Sequence, residues 1–365
     1  MRAAITGNIL TPAGWVHGEI GFDTRIASIS GCAVDPTSNG DDYILPGFID
    51  LHVHGGGGKD VMEAGDAVRT IAAIHARHGT TSLLATTMTA PADDIKLALA
   101  AIGSAAARRG KGEARVLGAH LEGPYINPGK LGAQPDYARA ATLADVHALA
   151  ALAPLKLITV APEIAGHLAL VKELADAGMR VQIGHTAGSY EDGKAALEHG
   201  AHGFTHLFNA MTGLHHREPG MVGAALAHAQ YAELIPDLLH VHPGAIRTAL
   251  RCIPKLYCVT DSTAATGMPD GEYMLGRQVV MKCLGGVRLP DGTLAGSALT
   301  MDQALRNLVG IGLDLADASA RVSTYAADYL GLADRGRLAP GAWADVVVLD
   351  RDLQLKAVYL EGERL

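Results

Sequence analysis

The sequence is poor in aromatic residues and in cysteine. Aromatic residues make up 4% of the 365 positions, and only four cysteines occur, none of them in a C-x-x-C spacing. Hydrophobic residues nevertheless reach 48%, so we expect a large globular core built mainly from small aliphatic side chains. We expect reduced, buried thiols rather than disulfides at Cys32, Cys252, Cys258 and Cys283.

Long apolar runs and clusters of positive charge are also missing. No window offers the roughly 18 uninterrupted apolar residues that a membrane span needs, and residues 1–15 lack the apolar core of a signal peptide. The formal net charge is -8, and without a Lys/Arg cluster it argues against nucleic acid and anionic membrane surfaces as partners. We therefore expect a cytoplasmic protein whose partner is a small molecule.

From residue 48 onward, apolar runs alternate with helical segments. Eight strand candidates with helical crossovers are typical of a (β/α)8 TIM-like barrel. Both ends of the chain show short strands and turns instead. We predict a barrel at 46–335 and one small β-sandwich domain formed by 1–45 together with 336–365.

The first predicted barrel strand carries two histidines at alternate positions. In PGFIDLHVHG, residues 46–55, Asp50, His52 and His54 project to the same side. Neutral imidazole nitrogens bind Zn²⁺ at about 2 Å, so this strand offers half of a metal site. The pair alone is weak evidence, because such spacing also arises by chance and ordinary hydrogen bonds satisfy it.

Further candidate ligands stand at the ends of later strands, where barrel enzymes place their chemistry. Glu122, His185 and His206 are predicted to hold one ion with an open position for water. His52 and His54 would hold a second ion, bridged to the first by Glu122 or by that water. Mixed histidine and carboxylate ligands suit a divalent metal, with Zn²⁺ preferred and Fe²⁺, Mn²⁺ or Co²⁺ as alternatives.

Asp261 ends the eighth strand and is predicted to transfer protons. Among its polar neighbours we assign Asp50 to orienting a histidine and His120 to a supporting role, while Glu163 remains an alternative bridging carboxylate. The other histidines are expected on the surface, including His75, His78, His167 and His228.

Seven motifs together resemble the N-acetylglucosamine-6-phosphate deacetylase family of the amidohydrolase superfamily. They are PGFIDLHVHGGGG, GAHLEGPYINPGKLGA, IGHT, THLFNAM, REPG, VTDS and LAGSALTMDQALRNLV. The resemblance implies a barrel with a small β domain, a homodimer, and hydrolysis of the acetamido group of a 6-phosphorylated amino sugar. It also implies that Glu122, His185 and His206 are the main metal ligands and that Asp261 is the catalytic carboxylate. The strand-one histidines place the chain with those members that hold two ions.

The same resemblance implies a phosphate-binding set of Asn209, Ala210, Arg217 and His240. Arg217 is expected to reach the neighbouring subunit's site, where its planar guanidinium suits bidentate phosphate binding. The alternative for Arg217 is a surface ion pair with Glu218.

One position departs from the family pattern. In the stretch LGAQ, residues 131–134, which supplies the predicted substrate contacts Ala133 and Gln134, the family usually has histidine where this chain has Gln134. Glutamine donates a hydrogen bond but stays neutral, so the identity of the sugar and the need for its phosphate stay open. The alternatives are N-acetylgalactosamine 6-phosphate, an unphosphorylated sugar, an N-acyl amino acid, or a barrel without catalytic activity.

Overall fold

The computed structural model describes residues 3–365. Its centre is a ring of eight parallel strands that follow one another in sequence order, as the (β/α)8 prediction requires. From first to eighth the barrel strands are Phe48–Val53, Thr80–Thr86, Arg115–Glu122, Leu155–Val160, Arg180–Ile183, Gly203–Phe204, Tyr231–Leu234 and Lys255–Cys258.

Two contacts complete the ring where the sheet is interrupted. The Leu207 amide donates to the Glu233 carbonyl over 2.9 Å and joins the sixth strand to the seventh. A parallel bridge between Val53 and Ser262 joins the first strand to the end of the eighth. The seventh strand was expected at 233–240 and ends earlier, because Pro236 has no N–H to donate to a neighbouring strand.

A helix follows each barrel strand, as in other barrels of this class. These helices are Ala67–Ala76, Ala92–Ala107, Leu143–Ala150, His167–Asp176, Tyr190–Glu198, Gly220–His228, Pro243–Cys252 and Met301–Gly310. Side chains at the N-termini determine where some of these helices begin. At the start of Tyr190–Glu198, the Ser189 hydroxyl accepts from the Asp192 amide, and the Asp192 carboxylate accepts from the Ser189 amide. The two bonds form a capping box. Shorter helical segments are Val61–Glu63, Pro128–Lys130, Leu315–Ser319, Ala320–Thr324 and Tyr325–Leu330.

Small aliphatic side chains fill the core, as the composition predicts. Every residue of the second strand is buried, including Leu83, Leu84 and Ala85, because helices cover one face of a parallel barrel and the packed interior covers the other. All four cysteines are free, but only Cys258 is buried. The expected burial is wrong for the other three; Cys32, for example, lies on the edge strand of the terminal sheet.

The two ends of the chain form a second sheet of seven strands, separate from the barrel sheet. Its strands are Ala3–Thr11, Gly14–Phe22, Ile26–Ala33, Tyr43–Pro46, Val346–Leu349, Leu355–Leu360 and Glu363–Arg364. Val346 of the tail lies opposite Pro46, which joins the two ends. The terminal β domain is therefore confirmed, whereas the bounds 1–45, 46–335 and 336–365 stay a prediction.

Small strands and loops complete the carboxyl end of the barrel. Gly271–Leu275, Gln278–Cys283 and Gly286–Arg288 form an antiparallel sheet, and Gly55–Gly56 pairs with Lys59–Asp60. Within the described part of the chain, no helix is both long and apolar enough to cross a membrane.

Candidate metal-dependent active site

The carboxyl ends of the barrel strands surround a cavity of about 250 Å³. Of the predicted site residues, His52 lies buried behind its wall and Arg217 lies outside it. The others line the cavity: His54, Glu122, Ala133, Gln134, His185, His206, Asn209, Ala210, His240 and Asp261. The structure thus gathers residues that are far apart in the chain around one space.

Four ligand atoms converge at the first strand. His52 Nε2 lies 3.1 Å from His54 Nε2. Glu122 Oε2 lies 3.5 Å from His52 Nε2 and 3.2 Å from His54 Nε2. Asp261 Oδ1 lies 3.4 Å from His52 Nε2 and 3.2 Å from His54 Nε2. Ligands about 2 Å from one tetrahedral ion are themselves roughly 3.3 Å apart. These five distances therefore fit the spacing of ligands of one ion, and His52, His54 and Glu122 form one of the candidate metal-binding groups.

A second group of ligand atoms lies beside the first. Glu122 Oε1 is 3.1 Å from His185 Nε2 and 3.0 Å from His206 Nε2, and these two nitrogens are 3.1 Å apart. Because Oε2 of the same carboxylate faces the other pair of histidines, Glu122 joins the two groups. A bridge through Glu122 is one of the two alternatives left open by the sequence, and its bridging role stays a prediction.

Hydrogen bonds fix which nitrogen of two imidazoles is free to bind a metal. His52 Nδ1 lies 3.0 Å from Glu233 Oε2, and His185 Nδ1 lies 2.8 Å from the Lys130 carbonyl oxygen. Both partners only accept, so each Nδ1 carries a proton. Nε2 is therefore the nitrogen of each ring that can lose its proton and bind a metal, and together with the Glu122 carboxylate it belongs to a donor set that divalent metals prefer.

The site also attracts positive charge. Burial lowers the pKa of His54, but hydrogen bonds to Asp261 and Glu122 outweigh it and raise the pKa to about 9. The carboxylates thus create a strongly negative environment at the bottom of the cavity, and a divalent ion would neutralise it.

Three of the candidate ligands have unusual backbone conformations. His185, His206 and Asp261 have φ angles of 46°, 28° and 50°. Non-glycine residues rarely adopt this left-handed region, and where they do, the position is often functional.

Glu233 supports the site and was missed from the sequence as a functional residue. It is fully buried in the seventh strand, and its Oε2 accepts from His52 Nδ1. A carboxylate inside the apolar segment AELI was the available signal. Asp50, expected to orient a histidine, accepts from the His52 backbone amide at 3.2 Å and from Thr260 Oγ1 at 2.6 Å. It therefore holds the backbone of His52 and joins the first strand to the eighth, while the His52 ring contacts Glu233.

The structure does not favour Glu163 as the alternative bridging carboxylate. Its oxygens accept from Asn127 Nδ2, Thr186 Oγ1 and the Ala187 amide and not from the candidate metal ligands. Two expectations about histidines are wrong. His75 and His167 are buried rather than on the surface. Both side chains form hydrogen bonds to the backbone. His75 Nε2 lies 3.0 Å from the Gly55 carbonyl oxygen, and His167 Nε2 accepts from the Ala141 amide.

The predicted phosphate ligands are divided between the cavity and the surface. His240 lines the cavity, and its Nδ1 lies 2.7 Å from Asp237 Oδ2. Burial lowers the pKa of His240, but the Asp237 carboxylate raises it above its ordinary value overall. Arg217 is exposed and contacts the neighbouring His216 ring at 2.8 Å; it does not line the cavity of its own chain.

Known proteins resemble the chain over nearly its full length. The amidohydrolase family model matches residues 43–365. An N-acetylgalactosamine-6-phosphate deacetylase of Escherichia coli O157:H7 is 40% identical, with 97% of each chain covered. An N-acetylglucosamine-6-phosphate deacetylase of Lysinibacillus sphaericus is also 40% identical, over 93% of this chain and 91% of that one.

Solved structures agree with this relationship. A mutant N-acetyl-D-glucosamine-6-phosphate deacetylase of Mycobacterium smegmatis, in complex with N-acetyl-D-glucosamine-6-phosphate, superposes with a TM-score of 0.92 at 32% identity, over 100% of this chain and 99% of that one. The Thermotoga maritima N-acetylglucosamine-6-phosphate deacetylase reaches 0.91 at 31% identity with the same coverage. With the barrel, the terminal sheet and the histidine and carboxylate ligands in place, the chain belongs to the amidohydrolase family.

Proposed function

We propose that this protein hydrolyses the acetamide of N-acetyl-D-glucosamine 6-phosphate to acetate and D-glucosamine 6-phosphate. The observation that carries the proposal is Glu122, whose two oxygens face two pairs of histidines at the bottom of a cavity that also contains His240. Amide hydrolysis and phosphate binding would then take place in a single pocket.

The ligand atoms are those expected for two divalent ions, and Zn²⁺ is our first assignment. His52, His54, Glu122 Oε2 and Asp261 Oδ1 would hold one ion, while Glu122 Oε1, His185 and His206 would hold the other. A bound divalent ion supplies Lewis acidity, which activates water at neutral pH and polarises a carbonyl.

Asp261 is assigned to proton transfer. Burial raises the pKa of Asp261, but the His52 and His54 imidazoles outweigh it and keep the pKa below its ordinary value. The carboxylate is therefore ionised at neutral pH and begins the reaction as a base. It accepts a proton from water as the water oxygen bonds to the acetamide carbon. It then gives that proton to the amine nitrogen as the carbon–nitrogen bond breaks, so acetate and the amine leave.

The phosphate contacts are assigned to Asn209, Ala210 and His240 of one subunit and to Arg217 of its neighbour. Arg217 is exposed, and an arginine on the surface is available to complete the pocket of a second copy. The proposal therefore includes a homodimer, which light scattering coupled to size-exclusion chromatography tests. A cytoplasmic location stays a prediction.

N-Acetylgalactosamine 6-phosphate is the second candidate substrate. One relative that covers 97% of this chain bears that activity in its name. Gln134 lines the cavity in place of the family's histidine, so it is the residue whose identity bears on the choice between the two sugars.

The decisive experiment is to measure kcat/KM for acetate release with metal-reconstituted enzyme. The substrates are N-acetylglucosamine 6-phosphate, its galactosamine epimer, the unphosphorylated sugar and an N-acetyl amino acid. A preference of about 100-fold or more for the first, equivalent to roughly 3 kcal/mol of transition-state binding, supports the proposal. A reversed preference between the epimers assigns the second candidate. Equal rates with the unphosphorylated sugar overturn the phosphate assignment, and no turnover of any substrate supports the barrel without activity.

A further inference from the structure

Seven polar side chains form one line of hydrogen bonds through the barrel interior. All seven are fully buried, and every barrel strand or strand end except the second contributes one. In bonded order they are His120, Thr159, Thr205, Gln182, Tyr257, Glu233 and His52. The line therefore connects residues of the barrel interior to a candidate metal ligand.

Proton directions at the Glu233 end follow from the chemistry of the groups. An ionised carboxylate only accepts, so the Tyr257 hydroxyl donates to Glu233 Oε1 over 3.3 Å, and His52 Nδ1 donates to Oε2 over 3.0 Å. The Tyr257 oxygen in turn accepts from Gln182 Nε2 over 2.6 Å. Tyr257 thus both donates and accepts, and its place in the line requires its hydroxyl.

The other end of the line has equally defined directions. Gln182 Oε1 accepts from Thr205 Oγ1 over 2.9 Å. Since the Thr205 proton is used there, Thr159 Oγ1 donates to Thr205 over 2.8 Å, and His120 Nε2 donates to Thr159 over 2.8 Å. Each donor has one acceptor, so the amide of Gln182 is oriented to present its N–H group to Tyr257.

The Glu233 carboxylate contacts a ligand from each candidate metal site. Its Oε2 accepts from the His52 ring and also from the His206 backbone amide at 3.2 Å. His206 has the left-handed φ of 28°, a conformation that surrounding contacts must maintain. Displacement of one carboxylate would therefore disturb both sites.

We propose that Tyr257 is a positioning residue of the metal centre, because its hydroxyl fixes the Glu233 carboxylate that holds His52 and His206. This proposal rests on the two-ion centre described under the proposed function. Hydrogen-bonded groups behind metal ligands typically change metal affinity by about 10–100-fold when removed. Tyr257 lies one hydrogen bond farther from the ligands than Glu233, so we expect the lower end of that range.

Tyr257→Phe tests the proposal, with Tyr329→Phe as the matched control. The Tyr329 ring lies 5.2 Å from the Tyr257 ring and is also buried, but within residues 3–365 its hydroxyl forms no hydrogen bond to Glu233. Zn²⁺ affinity is measured by competition with a chromogenic chelator, and the unfolding temperature of each metal-free variant reports folding. We expect about tenfold weaker Zn²⁺ binding in Tyr257→Phe and unchanged binding in Tyr329→Phe. Equal affinities in both variants would overturn the proposal.

A second comparison shows whether Tyr257 acts through Glu233. In a Glu233→Gln background, the added Tyr257→Phe change should no longer weaken Zn²⁺ binding, because the carboxylate that the hydroxyl positions is gone. A full tenfold effect in that background would overturn the assigned route. The affinity readout does not depend on substrate, so failure of the wild-type enzyme to release acetate would overturn the proposed function and leave this result intact.

Discussion

Gln134 donates a hydrogen bond from Nε2 to Glu122 Oε2 over 2.6 Å. The Thr89 backbone amide donates to Gln134 Oε1 at the same distance. A backbone amide only donates, so the side-chain amide has one orientation and its N–H must face the carboxylate. Gln134 therefore contacts the Glu122 carboxylate as well as the cavity.

Replacing Gln134 should affect both the metal centre and the fold. Gln134→Ala removes the donor to Glu122 and leaves the buried Thr89 amide unpaired, which costs about 1–3 kcal/mol of unfolding free energy. We expect kcat/KM for acetate release to fall by about 10–100-fold. Steady-state kinetics and urea unfolding measure the two effects. Unchanged values for both would show that the contact carries no function.

Asp261→Asn should separate substrate binding from turnover. An amide does not accept and return the proton, so kcat should fall by about 100–10,000-fold, while substrate still binds. Single-turnover acetate release and calorimetric titration with substrate test this, and metal content must be checked because Asp261 Oδ1 lies among the ligand atoms of the first site. Near-normal kcat in a metal-loaded variant would remove Asp261 from proton transfer.

Single ligand changes should distinguish one ion from two. Because His54 belongs to one group and His185 to the other, His54→Ala and His185→Ala should each lose one ion and retain the second. Elemental analysis of reconstituted protein gives the stoichiometry. A wild-type content of one ion per chain, with no loss in His54→Ala, would contradict a two-ion centre.

Removal of metal should lower thermal stability as well as activity. An ion that binds only the folded state stabilises it by mass action, by about 2.7 kcal/mol at a concentration 100 times the dissociation constant. Chelator-treated protein should therefore unfold at a lower temperature and recover with added Zn²⁺. Scanning calorimetry with and without the ion measures the shift, and identical unfolding temperatures would speak against a built metal site.

Arg217→Ala should weaken only phosphorylated substrates. A charge-assisted hydrogen bond is worth about 1.5–3 kcal/mol, which predicts a fall of about 10–100-fold in kcat/KM for the sugar phosphate. Arg251, another exposed arginine, gives the matched control Arg251→Ala, which should leave kcat/KM unchanged. An equal loss with the unphosphorylated sugar would exclude a phosphate contact.

Local sequence patterns determined the barrel and the position of its candidate ligands. Alternation along the first strand placed His52 and His54 on one side, and the strand ends supplied Glu122, His185 and His206. These inferences succeed because side-chain direction within a strand depends on neighbouring residues, and parallel strands of a barrel end on one face.

Other relationships were decided only by the tertiary structure. Glu233 contacts His52 although the two residues are 181 positions apart in sequence. The spacing of residues within one strand or helix does not predict a contact between residues so far apart. For the same reason, the sequence did not predict the Gln134 contact with Glu122, the position of Asp261 Oδ1 close to the candidate ligand atoms, or the burial of His75. Each depends on how the closed ring brings loops and distant strands together, because buried polar groups must find partners wherever the fold places them.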